Sequence, residues 1–230
     1  ILAGKRAISQ GAYPEARRFF DQALELLPPA DLHRRWQALL GRDEVLGVLG
    51  DASARQADDL ALIDLARQMG DENCLAQAYA RQGYYLAITG EERLALQAYT
   101  ASDQAARRAG NVEAQADVLA MQVVSLTHLG ELEQAASLMQ AVLTLLPQIG
   151  DEIIQAKALT NLSVYLSATG DLSRAAQLMD QTLAITRRLG DSAGETIVLN
   201  NLGYYTVIMG MPEQGRQDLQ RALLIAQKIG

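Results

Sequence analysis

One cysteine, Cys74, stands alone among 230 residues. No intrachain disulfide can form, stability does not depend on oxidation, and a cytoplasmic location is the natural expectation. Aromatic residues make up only 5% of the chain, while Ala, Leu and Gln are abundant, which favours helix over strand. No stretch alternates apolar and polar residues with a period of two, so no sheet is predicted. Basic residues are in deficit: 20 Lys and Arg stand against 27 Asp and Glu, a net charge of −7. That balance argues against a direct nucleic-acid surface, which needs clustered cations to displace counterions. No signal peptide is recognisable. The longest uncharged run, 134–150, is interrupted by Gln134, Gln140, Pro147 and Gln148, so no membrane span is expected. The two histidines, His33 and His128, lie far apart and Cys74 joins neither at ligand spacing, so no zinc site and no other metal or cofactor is expected. The five prolines are punctuation: Pro14 and Pro212 suit first helical turns, while Pro28, Pro29 and Pro147 suit helix ends.

What is present is a regular spacing of glycine. Gly50, Gly70, Gly90, Gly110, Gly130, Gly150, Gly170, Gly190, Gly210 and Gly230 fall at every twentieth position. Most precede an acidic or amide residue: Asp51, Asp71, Glu91, Asn111, Glu131, Asp151, Asp171 and Asp191. A glycine at C′ takes the left-handed conformation that ends a helix, and the next residue suits the N-cap of its successor. Residues 31–70, 71–110, 111–150, 151–190 and 191–230 therefore form five units, and 1–30 is part of a sixth. Each unit holds two helical stretches. Ala158, Leu159, Leu162 and Leu166 mark one face of a first helix, and Ala175, Met179 and Leu183 one face of a second. Connections this short make neighbouring helices antiparallel, and a single hairpin cannot bury its own apolar face. Stacked hairpins can, so the expected fold is all-α: one solenoid domain over 1–230, about six antiparallel helical hairpins without a sheet. Because the chain lacks an initiator Met and Gly230 is a mark that passes the chain to another first helix, it reads as a segment of a longer protein.

The unit at 31–70 fits least well. Asp43, Arg55 and Asp59 stand where the sister units carry small or apolar residues, which predicts a second helix shifted in register or a local irregularity in the stack.

These residues resemble tetratricopeptide repeats. Leu202, Gly203, Gly210 and Gly215 follow that motif in the last unit, and Leu162, Ser163, Gly170, Asp171 and Ala175 in the one before. Gly83, Gly90 and Ala95 match in a third, Gly130, Ala135 and Pro147 in a fourth, and Gly11, Tyr13, Ala16, Phe20, Ala23 and Pro28 in the partial first. The usual period of the family is about thirty-four. A period of forty resembles a longer subclass found in MalT-like regulators, signalling ATPases and cyclases, and Leu-Gly-Asn-repeat scaffolds. The resemblance implies a right-handed superhelix whose first helices line a concave face. It places Gln77, Arg81 and Tyr84, then Asp117, Met121 and Val124, then Lys157, Asn161 and Val164, then Ile197, Asn201 and Tyr204 on that face. Asn161 and Asn201 recur at one repeat position and can both donate to and accept from a peptide backbone.

The expected role is a non-catalytic module that binds a protein or peptide partner, inside a larger bacterial signalling or transcription-regulatory protein. A small-molecule effector sensor of a MalT-like activator and a self-association module giving a homo-oligomer are the alternatives. No nucleophile–base set appears, so no catalytic residue is expected. Asp58 and Asp59, neighbours pointing different ways on a helix, read as a solvated face, and Cys74 reads as packing. Gly4-Lys5-Arg6 lacks the Ser or Thr of a phosphate loop, and the Asn161-Leu162-Ser163 sequon sits mid-helix; neither is taken as a site.

Overall fold

The computed structural model describes residues 1–229, so the last glycine mark, Gly230, lies outside the described residues. Among the described residues twelve α-helices pair into six hairpins: α1 (Leu2–Ser9) with α2 (Tyr13–Leu26), α3 (Leu32–Leu49) with α4 (Ala52–Met69), α5 (Glu72–Ile88) with α6 (Glu92–Ala109), α7 (Val112–His128) with α8 (Leu132–Leu145), α9 (Glu152–Ala168) with α10 (Leu172–Leu189), and α11 (Ser192–Ile208) with α12 (Pro212–Ile229). Among the described residues there is no strand. The chain forms two compact units, 1–111 and 112–230. In the first, each helix from α1 to α6 packs on the next. In the second, α7 packs on α8 and α9, and the run α9 to α12 again packs helix on helix.

The turns share one design. Asp71 N–H donates to the Ala66 carbonyl at 3.2 Å, and the same five-residue reach recurs from Glu91 to Leu86, Asn111 to Ala106, Glu131 to Leu126, Asp171 to Leu166 and Asp191 to Thr186. This closure needs a left-handed residue at the preceding position, and glycine supplies it there with φ between 63° at Gly70 and 86° at Gly90. The Asp side chains then cap the following helices: the Asp71 carboxylate accepts from Asn73 N–H at 2.9 Å and Cys74 N–H at 3.1 Å. Glu91 and Glu131 make no such bond; their extra methylene carries the carboxylate past the backbone N–H groups.

Gly150 departs from the expected pattern. Pro147 draws the end of α8 into a short 3-10 turn over Leu146–Gln148, and Gly150 is not among the glycines with positive φ. Its N–H and that of Asp151 both donate to Glu113 Oε1 at 3.1 Å, so a side chain from α7 does the work that a carbonyl does elsewhere.

Within hairpins, a small residue on the first helix meets a large one on the second. A Cβ added to Gly4 would lie 2.7 Å from Phe20 Cζ, and one added to Gly203 would lie 2.6 Å from Leu219 Cγ. A Cβ at Gly83 would fall within the van der Waals envelope of the Tyr99 ring. The third member of the set is also small: Ala16, Ala95, Ala135 and Ala175 are fully buried, and Gly215 stands at the same place in α12.

In the α3–α4 hairpin those three positions are Asp43, Arg55 and Asp59. The expected register shift does not occur: α4 spans Ala52–Met69 as α6 spans Glu92–Ala109, forty residues on. The charges stay in the core positions and are accommodated by pairing. Asp58 and Asp59 are each only 1% exposed, which overturns the reading of them as a solvated face. Around them lies an ordinary apolar core of Trp36, Leu39, Leu62, Ile63, Leu65 and Ala66, against which Cys74 packs. Burial, with the Asp71 carboxylate nearby, pushes the Cys74 thiol up to about 11, the behaviour of a packing residue.

Candidate functional site

In the first unit the exposed faces of α1, α3 and α5 border an open groove of about 340 Å³ lined by Lys5, Ile8, Gln37, Leu40, Gly41, Glu44 and Arg81. Second helices take no part in it. Arg81 was expected there; Lys5, Gln37 and Glu44 were not. Yet Gln37, Gly41 and Glu44 lie forty residues before Gln77, Arg81 and Tyr84, so the same repeat positions recur one hairpin earlier. The signal was present in the spacing and was obscured by the poor fit of 31–70.

Beneath the groove is a network of ion pairs. Asp43, fully buried, accepts from Arg55 Nε at 2.9 Å through one oxygen and from Arg81 Nε at 2.7 Å through the other, with Arg81 Nη2 also on that second oxygen. The Arg55 guanidinium stands 5.5 Å from the Tyr85 ring centre and 5.9 Å from that of Tyr84, within cation–π range. A second chain of pairs runs alongside. Arg42 holds Asp58 through Nε at 2.8 Å and Nη2 at 2.5 Å, and reaches Asp21 through Nη1 at 2.8 Å. Arg17 continues it to Asp51 at 3.0 Å.

Asp59 belongs to neither chain. Both of its carboxylate oxygens are buried without a hydrogen-bond partner. Burial, reinforced by the charge of Asp43 and opposed by those of Arg55 and Arg81, pushes its carboxyl up to about 7. Burial also raises Asp58, against the hydrogen bonds from Arg42. Asp21, Asp43, Asp58 and Asp59 face Arg42, Arg55 and Arg81, four carboxyls against three guanidiniums, so the cluster is neutral when Asp59 carries its proton.

The remaining sequence-predicted residues divide by exposure. In the first unit Gln77 is exposed on α5, and Tyr84 is half-exposed. In the second unit, on α7, Asp117 is half-buried, with one oxygen lacking a hydrogen bond; burial raises its carboxyl, opposed by the charge of Lys157, which is exposed on α9. Met121, Val124, Asn161 and Val164 are half-buried. Asn201 directs its amide nitrogen to Met179 Sδ at 3.9 Å. Ile197 and Tyr204 are exposed, and Tyr204 meets Tyr205 edge-on with ring centres 5.9 Å apart. Tyr205 turns inward, its hydroxyl 3.1 Å from Ser163 Oγ. Of the two tyrosine pairs, then, one ring of each is presented to solvent and the other is held in the structure. Among the described residues no group of three or more His, Cys, Asp or Glu is placed to hold a metal ion, and no helix is long and apolar enough to cross a membrane.

The tetratricopeptide-repeat family model matches residues 155–189, a span covering most of α9 and all of α10. No curated protein sequence matches the chain. Solved structures share its fold at low identity. BtubC (BKLC) from P. vanneervenii superposes with a TM-score of 0.69 at 18% identity, over 99% of this chain and 92% of that one. A Rap protein complexed with Competence and Sporulation Factor gives 0.68 at 12% identity, over 98% and 73%. A signal transduction ATPase with numerous domains from Pyrococcus horikoshii, which has a tetratricopeptide repeat sensor, gives 0.64 at 13%, over 96% of this chain and 40% of that one. The family match identifies the α9–α10 hairpin as a tetratricopeptide repeat, and the chain as a whole shares the all-helical hairpin-repeat fold of these structures.

Proposed function

We propose that the chain is a non-catalytic module that binds a peptide or protein partner along the exposed faces of its first helices, within a larger bacterial signalling or transcription-regulatory protein. The observation that carries this reading is the groove of the first unit, where α1, α3 and α5 supply Lys5, Gln37, Glu44 and Arg81 around the apolar Ile8 and Leu40. Amide and charged groups around a shallow apolar floor suit an extended backbone, whose N–H and C=O groups a glutamine satisfies in both senses. The Rap complex and the repeat sensor of the Pyrococcus horikoshii ATPase support a binding role by likeness of fold. In the second unit Asp117, Met121, Lys157, Asn161, Asn201 and Tyr204 are the corresponding contacts.

The test is selection from a random peptide library against the whole chain. Gln37→Ala with Gln77→Ala, and separately Asn161→Ala with Asn201→Ala, should weaken selected peptides about tenfold or more while leaving Tm unchanged. Unaltered affinity in both pairs rejects the first-helix face as the binding surface.

A further inference from the structure

The α3–α4 hairpin carries charge where its sisters carry small and large apolar residues, and that charge is unequally served. Asp43 has two guanidiniums and Asp59, one turn after Arg55 on the same helix, has none. Arg55 reaches both fates from one position. Its present pair is Asp43 on α3, and its guanidinium also packs over Tyr84 and Tyr85 on α5. The charges that act on Asp59 are Asp43 from α3, Arg55 and Asp58 from α4, and Arg81 from α5; Arg42 of α3 and the two tyrosines of α5 stand one step out, against Asp58 and Arg55. Arg42 is committed to Asp58 and Asp21. Arg81 is committed to Asp43. Arg55 is the guanidinium that can answer a new charge on Asp59, because a residue four positions away on a helix lies on the same face.

We propose that Asp59 is a proton-operated switch for the binding face of the first unit. Protonated, it leaves Arg55 paired with Asp43 and stacked on the tyrosines; ionised, it draws Arg55 back along α4 and releases Tyr84 and Tyr85. Arg81 then keeps Asp43 paired, so the step exchanges partners without stranding a buried charge. Tyr84 occupies the same repeat position as the groove residue Glu44 and lies one turn beyond Arg81, so its release changes the rim of the groove. The inference rests on the reading of that face as a binding surface.

The direction of the pH effect follows from the proton count. The native state holds a proton on Asp59 that the unfolded chain, with an ordinary carboxyl at 3.8, gives up earlier. Stability from this group is therefore full at low pH and lost as pH rises through about 7. For a carboxyl moved from 3.8 to about 7, the unfolding constant rises about 90-fold between about pH 5 and 8. The experiment follows the Arg55 side-chain N–H signal and the Tyr84 and Tyr85 ring signals by NMR across that range, on the whole chain and on Asp59→Asn, with urea unfolding at each pH. The three signals should titrate together with a midpoint near that of the Asp59 carboxyl in the native sequence and stay fixed in Asp59→Asn, whose stability falls less steeply with pH because only the other raised carboxyls remain. If the carboxyl titrates while Arg55 and the rings do not move, or if Asp59→Asn keeps the wild-type slope, the switch is wrong. Should Asp59→Asn fail to fold, the native carboxyl, guanidinium and ring titrations decide it alone. These readouts need no ligand, so a failure of the peptide selection with the switch signals intact condemns the binding surface and not the switch.

Discussion

Replacing Gly83 by Ala tests whether the small-to-large contact organises the hairpins. In a solvated helix interior this change stabilises by about 1 kcal/mol, because Ala loses less backbone entropy. At Gly83 the new methyl would overlap the Tyr99 ring, which is 2% exposed and has little room to retreat. Overpacking of a closed core costs about 1–3 kcal/mol. A Cβ this deep inside the ring envelope takes the upper end of that range, so the net loss after the helix gain is about 2 kcal/mol, opposite in sign to the propensity expectation. In the α9–α10 hairpin the positions of Gly83 and Tyr99 are taken by Ser163 and Met179, both buried, so the chain itself carries a larger first-helix residue in register with a slimmer, flexible second-helix one. Gly83→Ala with Tyr99→Met should therefore recover most of the loss, and the double-mutant cycle should show coupling above about 1 kcal/mol. Urea unfolding supplies the free energies, and amide exchange locates them: protection should fall in α5 and α6 while α1 and α2 keep theirs, as nearest-neighbour stacking requires. A Gly83→Ala chain as stable as the native one, or additive effects of the two changes, refutes the contact as a determinant of the hairpin.

Arg81→Ala removes one of two partners from the fully buried Asp43 and should cost about 3 kcal/mol in urea unfolding, whereas Gln77→Ala on the same helix face should stay within about 0.5 kcal/mol; Arg81 is thus a poor probe of binding and Gln77 a good one. Gly190→Ala, at φ 68°, should lower stability by about 1 kcal/mol, while Gly150→Ala, whose added Cβ would meet Glu113 Oε1 at an ordinary 3.6 Å, should be neutral or slightly stabilising in the same thermal melts. Replacing the whole set by what the sister hairpins carry, Asp43→Gly, Arg55→Ala, Asp59→Tyr and Arg81→Met together, should raise stability by about 1–4 kcal/mol, although Asp43→Gly alone destabilises; denaturation of the two chains checks both signs.

Much of this architecture was legible because turn chemistry is local. A glycine at φ near 70° followed by an aspartate is a helix stop and a helix start in two residues, and the spacing did the rest. Gly150 escaped because its conformation is set by Pro147 and by Glu113, thirty-seven residues away. The anomaly at Asp43, Arg55 and Asp59 was visible as residue types in the wrong places, but its resolution was not. The partner that completes it, Arg81, is thirty-eight residues from Asp43, and burial of a charge looks implausible until the pairing is seen. The groove was half legible for a related reason. Arg81 was placed by motif position, while Gln37 and Glu44 required trusting the period through a unit whose core residues argued against it.

That unit also shows why a charge set can persist where an apolar one would fold more stably. An apolar lock is undirected: Phe20 fills the space beside Gly4 and also that beside Gly41 on the next hairpin. A misplaced apolar neighbour forfeits some contact area and little else. Asp43 is different, because it is satisfied only when α5 delivers Arg81 in one register, and a slip would leave a fully buried carboxylate short of a partner. The pairing therefore orients α5 against α3 more strictly than packing could, and those are two of the three helices that border the groove. This accounts for Asp43, Arg55 and Arg81. It does not account for Asp59, which contributes nothing to register and costs stability whenever it is ionised. The sister hairpins fill its position with Phe20, Tyr99, Met139, Met179 and Leu219, whereas Asp59 forms no hydrogen bond there; on the proposed switch, its rationale is what its proton controls.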